Sequence, residues 1–222
     1  MRSFPEIEAL AAGRKGGADA LERLLSAPLT SEEIKKISDD RWLSAMTKCI
    51  FQAGFNWRLI EQKWDRFEEV FEGFNIHRWT IMSDDDLDRL LKTKGIVANA
   101  AKIKSVGANA CYLSTLAENG ETAGTCFAGW KRERYCENLR GLRKNGARLG
   151  GRTGQIFLRR MGVDTLVFSH DVLKALSREE VVSKMPSSGK DFTAVQSALD
   201  AWSEETRRPL TQISQILAFS VE

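Results

Sequence analysis

Between Gly146 and Gly162 the sequence GARLGGRTGQIFLRRMG crowds five glycines and four arginines around a short apolar helix pattern, a combination suited to holding a phosphate. Glycine lets the backbone approach an anion with no Cβ in the way, and the N–H groups that open a helix carry partial positive charge. From Lys131 to Arg160 ten basic residues stand against Glu133 and Glu137, +8 in thirty positions, although the whole chain carries only +3. A charge run is ordinarily a solvated face, and a glycine-rich turn serves equally as a helix C-cap between packed helices. Arg148, Arg152, Arg159 and Arg160 turn the reading toward contact with a nucleic-acid backbone. A hairpin of this kind grips a phosphate without reading sequence.

Other residues with chemical capacity lie on either side. Asp171 stands 18 residues beyond Thr153, in Ser169-His-Asp-Val-Leu-Lys-Ala-Leu. That octet also reads as a capped helix start, so Asp171 is open to a purely local role, and His170 has no partner implied by sequence. Six tryptophans, Trp42, Trp57, Trp64, Trp79, Trp130 and Trp202, offer ring faces for a base, though packing is the commoner use of any one of them. The four cysteines, Cys49, Cys111, Cys126 and Cys136, are widely spaced, and with only His77 and His170 beside them no compact metal-ligand spacing appears. No cofactor is implied.

The elements that must position these groups are helical nearly throughout. Apolar residues recur at three and four in ALERLL (20–25), WLSAMTKCIF (42–51), LIEQKWDRFEEVF (59–71) and LDRLLK (87–92), and strand alternation is rare. Thr30-Ser-Glu-Glu and Ser83-Asp-Asp-Asp mark helix starts, Pro5, Pro28, Pro186 and Pro209 sit at helix boundaries, and MPSSGKD (185–191) is a loop. The C-terminal segment reads as two helices broken near Pro209. Leu139, Leu142 and Leu149 lead a helix into LGGRTG, and Ile156, Phe157, Leu158 and Met161 lead one out, a helix-hairpin-helix element over about 139–162. The fold class is all-α. At 222 residues, 42% hydrophobic and 28% charged, the expectation is one helical domain over 1–222. With no signal-peptide pattern and no apolar run of membrane length, it is expected to be a cytoplasmic monomer with reduced thiols.

Two blocks resemble known proteins. LGGRTGQIFLRRMGVDTLVFSHDV is similar to the hairpin-plus-aspartate signature of the helix-hairpin-helix DNA glycosylase superfamily. FQAGFNWRLIEQKWDRFEEVFEGFN, followed by DDLDRLLKTKGIVANAAKIKSVGANACYL, resembles the 3-methyladenine DNA glycosylase I family, with its Gln-Ala-Gly-x-Ser/Asn-Trp and Gly-Ile-x5-Lys-Ile blocks, over about residues 38–180. The resemblance implies a two-lobed helical glycosylase fold. It also implies a partner, double-stranded DNA with alkylated bases. Arg148, Gly150, Gly151, Arg152, Thr153 and Gly154 would hold the backbone, and Trp57 would stack on an extruded base. Phe55 would act as a wedge, with Gln52, Cys49 and Trp42 lining the base site. Asp171 would stabilise developing positive charge on the deoxyribose, and Lys102 with Ile103 would give packing and backbone support.

Two departures qualify the likeness. The family carries a glutamate three residues before the Gln of its first block, where this chain has Cys49. The family's zinc site uses cysteines and histidines near both termini, whereas no cysteine precedes Cys49 or follows Cys136, so no zinc is expected. Where lyase members of the superfamily place a lysine in the hairpin, this chain has Arg152, which forms no Schiff base. The leading expectation is a monofunctional glycosylase that flips and excises alkylated purines resembling 3-methyladenine, in base excision repair. A DNA-binding or damage-sensing protein without catalysis, and a helical protein with another partner, stand as alternatives.

Overall fold

The structure is a computed structural model that describes residues 1–118 and 120–221. Among the described residues it contains fifteen α-helices and no strand. They are α1 (Phe4–Lys15), α2 (Ala18–Glu22), α3 (Ser31–Lys35), α4 (Asp39–Gln52), α5 (Trp57–Gln62), α6 (Trp64–Val70), α7 (Ile76–Thr80) and α8 (Asp84–Lys92). After them come α9 (Ala100–Glu118), α10 (Ala123–Ala128), α11 (Tyr135–Asn145), α12 (Arg152–Arg160), α13 (His170–Arg178), α14 (Gly189–Thr206) and α15 (Leu210–Phe219). No helix among the described residues is long and apolar enough to cross a membrane.

Capping chemistry sets many of the starts. Thr30 with Glu33, Ser83 with Asp86 and Ser188 with Asp191 form reciprocal boxes that satisfy backbone N–H groups left free in a first turn. The apolar run 59–71 divides into α5 and α6, because Lys63 (φ −96°, ψ 0°) closes one helix and opens the next. The break lets Trp64 stack on Phe67 at 5.0 Å and on Phe74 at 5.6 Å.

The chain divides into two compact units. One comprises Thr30–Gly129 and Gly141–Met161, and α4 is its central helix, packed on both α9 and α12. Trp42 of α4 stacks on Phe127 at 4.7 Å and takes Phe157 of α12 edge-on at 5.7 Å. All three rings are buried, so α12 is anchored by aromatic contacts that contribute about 0.5–1.5 kcal/mol each beyond area burial. Phe51, Phe67, Phe71 and Phe74 continue the core, and the Trp79 indole N–H donates to the Phe71 carbonyl at 2.6 Å.

The other unit comprises Met1–Leu29, Trp130–Arg140 and Gly162–Glu222. Here α15 packs against α13 and α1. The Tyr135 hydroxyl donates to the Leu166 carbonyl at 2.6 Å, and both Asp164 carboxylate oxygens accept the backbone N–H groups of Leu210 and Thr211, which open α15. Glu179, 2% exposed, accepts from the Arg2 backbone and from the Arg2 and Arg178 guanidinium groups.

Candidate nucleic-acid interface and base site

The hairpin begins where α11 ends. The Gly146 N–H donates to the Leu142 carbonyl at 2.8 Å, and the turn is then held from α9: the buried Asn109 amide bonds both backbone groups of Ala147. Arg148 follows in the left-handed region at φ +60°, a conformation rare enough in an arginine to mark a site that the surrounding structure over-determines. Gly151, at φ +65°, is the N-cap of α12 and carries no side chain to cap it, so the first-turn N–H groups at Arg152, Thr153 and Gly154 keep their capacity for an anion. Gly154 is required by space: a Cβ there would lie 2.2 Å from the Leu149 carbonyl oxygen. Arg148, Gly150 and Arg152 are exposed, while Thr153 is half-buried.

A second cluster forms at the C-terminal end of α4. Cys49 and Gln52 lie on its last turns, Ala53 to Asn56 make the turn, and Trp57 opens α5, whose first N–H groups at Arg58 and Leu59 are accepted by the Asn56 side chain. Lys102, buried on α9, donates its ammonium to the carbonyls of Phe51 at 3.0 Å and Ala53 at 2.8 Å. It closes the end of α4 and fixes the turn that follows; burial pushes its pKa down, and the Arg148 guanidinium adds to the effect. Phe55 and Trp57 stand exposed, at 44% and 55%. That is where a base and a duplex gap could be met.

The Gln52 amide uses both its N–H donors and accepts one bond. Its Nε2 donates to the Trp57 carbonyl at 3.4 Å and to Glu61 at 3.3 Å, and its Oε1 accepts from Arg160. Arg160 Nη1 also lies 3.5 Å from Cys49 Sγ. Burial raises the Cys49 thiol pKa against the opposing pull of Arg160, so the group is a neutral thiol at physiological pH. Trp42, two turns earlier on α4, has no exposed surface; its rings are closed in by Phe127 and Phe157, and its N–H donates to the Ile37 carbonyl.

Asp171 belongs to the other unit and sits in the first turn of α13. Ser169 supplies the cap there, accepting the Val172 N–H at 3.2 Å, which leaves the exposed Asp171 carboxylate with the His170 ring at 3.3 Å. Among the described residues no three His, Cys, Asp or Glu side chains are gathered to hold a metal ion. Two of the four thiols are ill placed for a metal: Cys49 faces a guanidinium, and burial drives the Cys136 thiol pKa up to about 12.

Three participants escape sequence reasoning. Asn109 looks like any polar residue within a long helix, and only the fold brings it to Ala147. Glu61 joins Gln52 across the α4–α5 turn. Arg160, grouped by sequence with phosphate-facing arginines, turns instead to Cys49 and Gln52. Its signal was available: Arg160 follows Phe157 by one helical turn, and Cys49 follows Trp42 by two, so docking Phe157 on Trp42 carries the arginine toward the end of α4.

DNA-3-methyladenine glycosylase 1 of Escherichia coli (strain K12) is 29% identical over 70 residues, 32% of this chain. The matched segment spans only 37% of that relative's length. The fold is similar to that of 3-methyladenine DNA glycosylase I from Staphylococcus aureus, with a TM-score of 0.50 at 19% identity over 64% of this chain and 82% of that one. The 8-oxoguanine DNA glycosylase of Thermotoga maritima gives a TM-score of 0.52 at 16% identity over 96% of this chain and 95% of that one. These likenesses show the helical fold of DNA glycosylases. The sequence profile described as methyladenine glycosylase matches residues 34–144, half of the chain and the segment that carries Gln52, Trp57 and Lys102, and the chain therefore belongs to the methyladenine glycosylase family.

Proposed function

We propose that this protein is a monofunctional DNA glycosylase that extrudes a damaged purine and hydrolyses the N-glycosidic bond. The observation that carries the reading is the pairing, within one compact unit, of an anion-ready hairpin with an exposed aromatic turn. The hairpin residues Arg148, Gly150, Gly151, Arg152, Thr153 and Gly154 bind one strand of duplex DNA through its phosphates. Phe55 fills the space that the extruded nucleotide leaves, and Trp57 stacks on the base, which is met at its edge by the Gln52–Arg160–Cys49 group. Trp42 supports α4 and α12 behind it.

Asp171 is assigned the role of stabilising the positive charge that develops on the sugar, on its spacing from Thr153 and its exposed carboxylate at the start of α13, where the His170 ring is its neighbour. Water supplies the nucleophile: its oxygen bonds to C1′, the bonding pair of the C1′–N bond leaves with the base, and the proton that the water gives up neutralises the departing base; no covalent enzyme intermediate forms, because Arg152 stands where lyase members of the superfamily have a Schiff-base lysine. Release of free base from a lesion-bearing duplex, with an intact abasic strand as the other product, is the expected result. Binding to the same duplex without any release would favour a damage-sensing protein in which the missing glutamate has cost the chemistry.

A further inference from the structure

The base site is bordered by the protein's own cations. Arg160 Nη1 lies 3.5 Å from Cys49 Sγ and donates to Gln52 Oε1. The Arg58 guanidinium lies 5.6 Å from the centre of the Trp57 ring, so the face best suited to a cation already meets one. Glu61, the carboxylate that touches this group, is paired with Lys48 at 2.6 Å and accepts from Gln52 Nε2. Cys49, kept as a thiol by burial, brings no negative charge.

We propose that this site selects a neutral damaged base with a hydrogen-bond acceptor edge and discriminates against a cationic N-alkylated purine, with Arg160 as the residue that makes the distinction. The inference rests on the glycosylase reading and fixes the charge of its substrate. Arg160 is exposed and carries five N–H donors, of which Nη1 is engaged with Gln52 and Cys49, so its remaining donors are open to a carbonyl or ring nitrogen. A cationic base meets like charge on entry. A neutral base benefits twice: as the C1′–N bond breaks, the electron pair moves onto the base, and a guanidinium at its acceptor edge stabilises that charge until a proton from the attacking water neutralises it. A base that is cationic beforehand departs neutral and gains nothing from Arg160.

The test uses the full chain and duplexes with one central lesion, either neutral (8-oxoguanine or hypoxanthine) or cationic (N7-methylguanine on a 2′-fluorinated sugar that resists hydrolysis). Affinity relative to undamaged duplex is measured for wild type, Arg160→Gln, Arg160→Lys and the double variant Cys49→Glu/Arg160→Gln, with circular dichroism as the check on folding. Wild type is expected to prefer neutral lesions by about tenfold or more, a like-charge penalty of ordinary size for a specific site. Arg160→Gln should reduce that preference, Arg160→Lys should keep its sign, and the double variant should favour the cationic lesion. Equal or tighter wild-type binding of the cationic lesion, or an unchanged preference in a folded Arg160→Gln protein, overturns the inference. Single-turnover base release, with unfluorinated N7-methylguanine as the cationic substrate, separates the two readings. An intact preference with no release refutes catalysis and leaves the recognition standing. Release without preference refutes the recognition alone.

Discussion

Asn109 in α9 satisfies both backbone groups of Ala147, donating to its carbonyl at 3.1 Å and accepting its N–H at 2.8 Å, and so ties the hairpin loop to the helix that also carries Lys102. One planar amide does what no apolar side chain of its size can. Asn109→Leu should leave a buried donor and acceptor unmatched, a cost of about 1–3 kcal/mol. In a chain of this length that corresponds to a loss of roughly 2–4 °C in melting temperature per kcal/mol. Duplex affinity should fall with it at temperatures where the protein remains folded. A variant with lower stability but undiminished affinity would show that the loop finds its DNA-binding geometry without the clamp.

Arg148 and Arg152 flank the uncapped start of α12. Their joint replacement by alanine should weaken binding to undamaged duplex and lessen its dependence on salt, by about 0.9 in the logarithmic slope for each phosphate that the protein no longer neutralises. Titrations at several salt concentrations give that slope directly, and an unchanged slope would mean that the positive turn does not meet phosphate.

Trp57 is more than half exposed on the first turn of α5, where its ring buries little apolar surface of the fold. Trp57→Ala should therefore leave the melting temperature nearly unchanged while costing about 1–3 kcal/mol in binding to an abasic or lesion duplex, the range for removal of a stacking partner. Equal weakening on damaged and undamaged duplex would remove Trp57 from the base site.

Glu179 couples the second unit to pH. Burial alone would raise its pKa, but bonds from the Arg2 backbone and from the Arg178 and Arg2 guanidinium groups outweigh it, and the net shift is downward. A carboxylate with a depressed folded pKa contributes stability that is present above its unfolded pKa and is lost as pH falls through the folded value. Glu179→Gln should lower stability at neutral pH and flatten the decline of unfolding free energy below about pH 4, near the unfolded glutamate value. Parallel acid limbs in wild type and variant would assign that decline to other carboxylates.

Helix positions were largely legible because they depend on local chemistry. The caps at Thr30 and Ser83, the break near Pro209 and the two helices around LGGRTG all follow from residues within a few positions of one another. Two kinds of information were not local. The heptad spacing of Trp42 and Cys49 puts both on one face of α4, yet that face is sealed core at Trp42 and site edge at Gln52, and helical period cannot tell where along the axis the covering ends. The arginines of α12 were legible as charge, but the destination of Arg160 depends on Phe157 docking against Trp42, a pairing that spans more than a hundred residues of sequence. Asn109 and Glu61 carry no local signal for the same reason: each acts on a partner that only tertiary packing supplies.

The most direct measurement is single-turnover base release by wild type and Asp171→Asn from duplexes carrying one damaged purine, with affinity for the same duplexes measured alongside. Preorganised charge at a developing cation commonly contributes on the order of 10²–10³ in rate, so Asp171→Asn should lower the release rate by about that factor while its affinity stays similar or rises as a repulsive carboxylate is removed. Release by Asp171→Asn at the wild-type rate, or the absence of release by wild type from every damaged duplex that it binds, would contradict a glycosylase that works through Asp171.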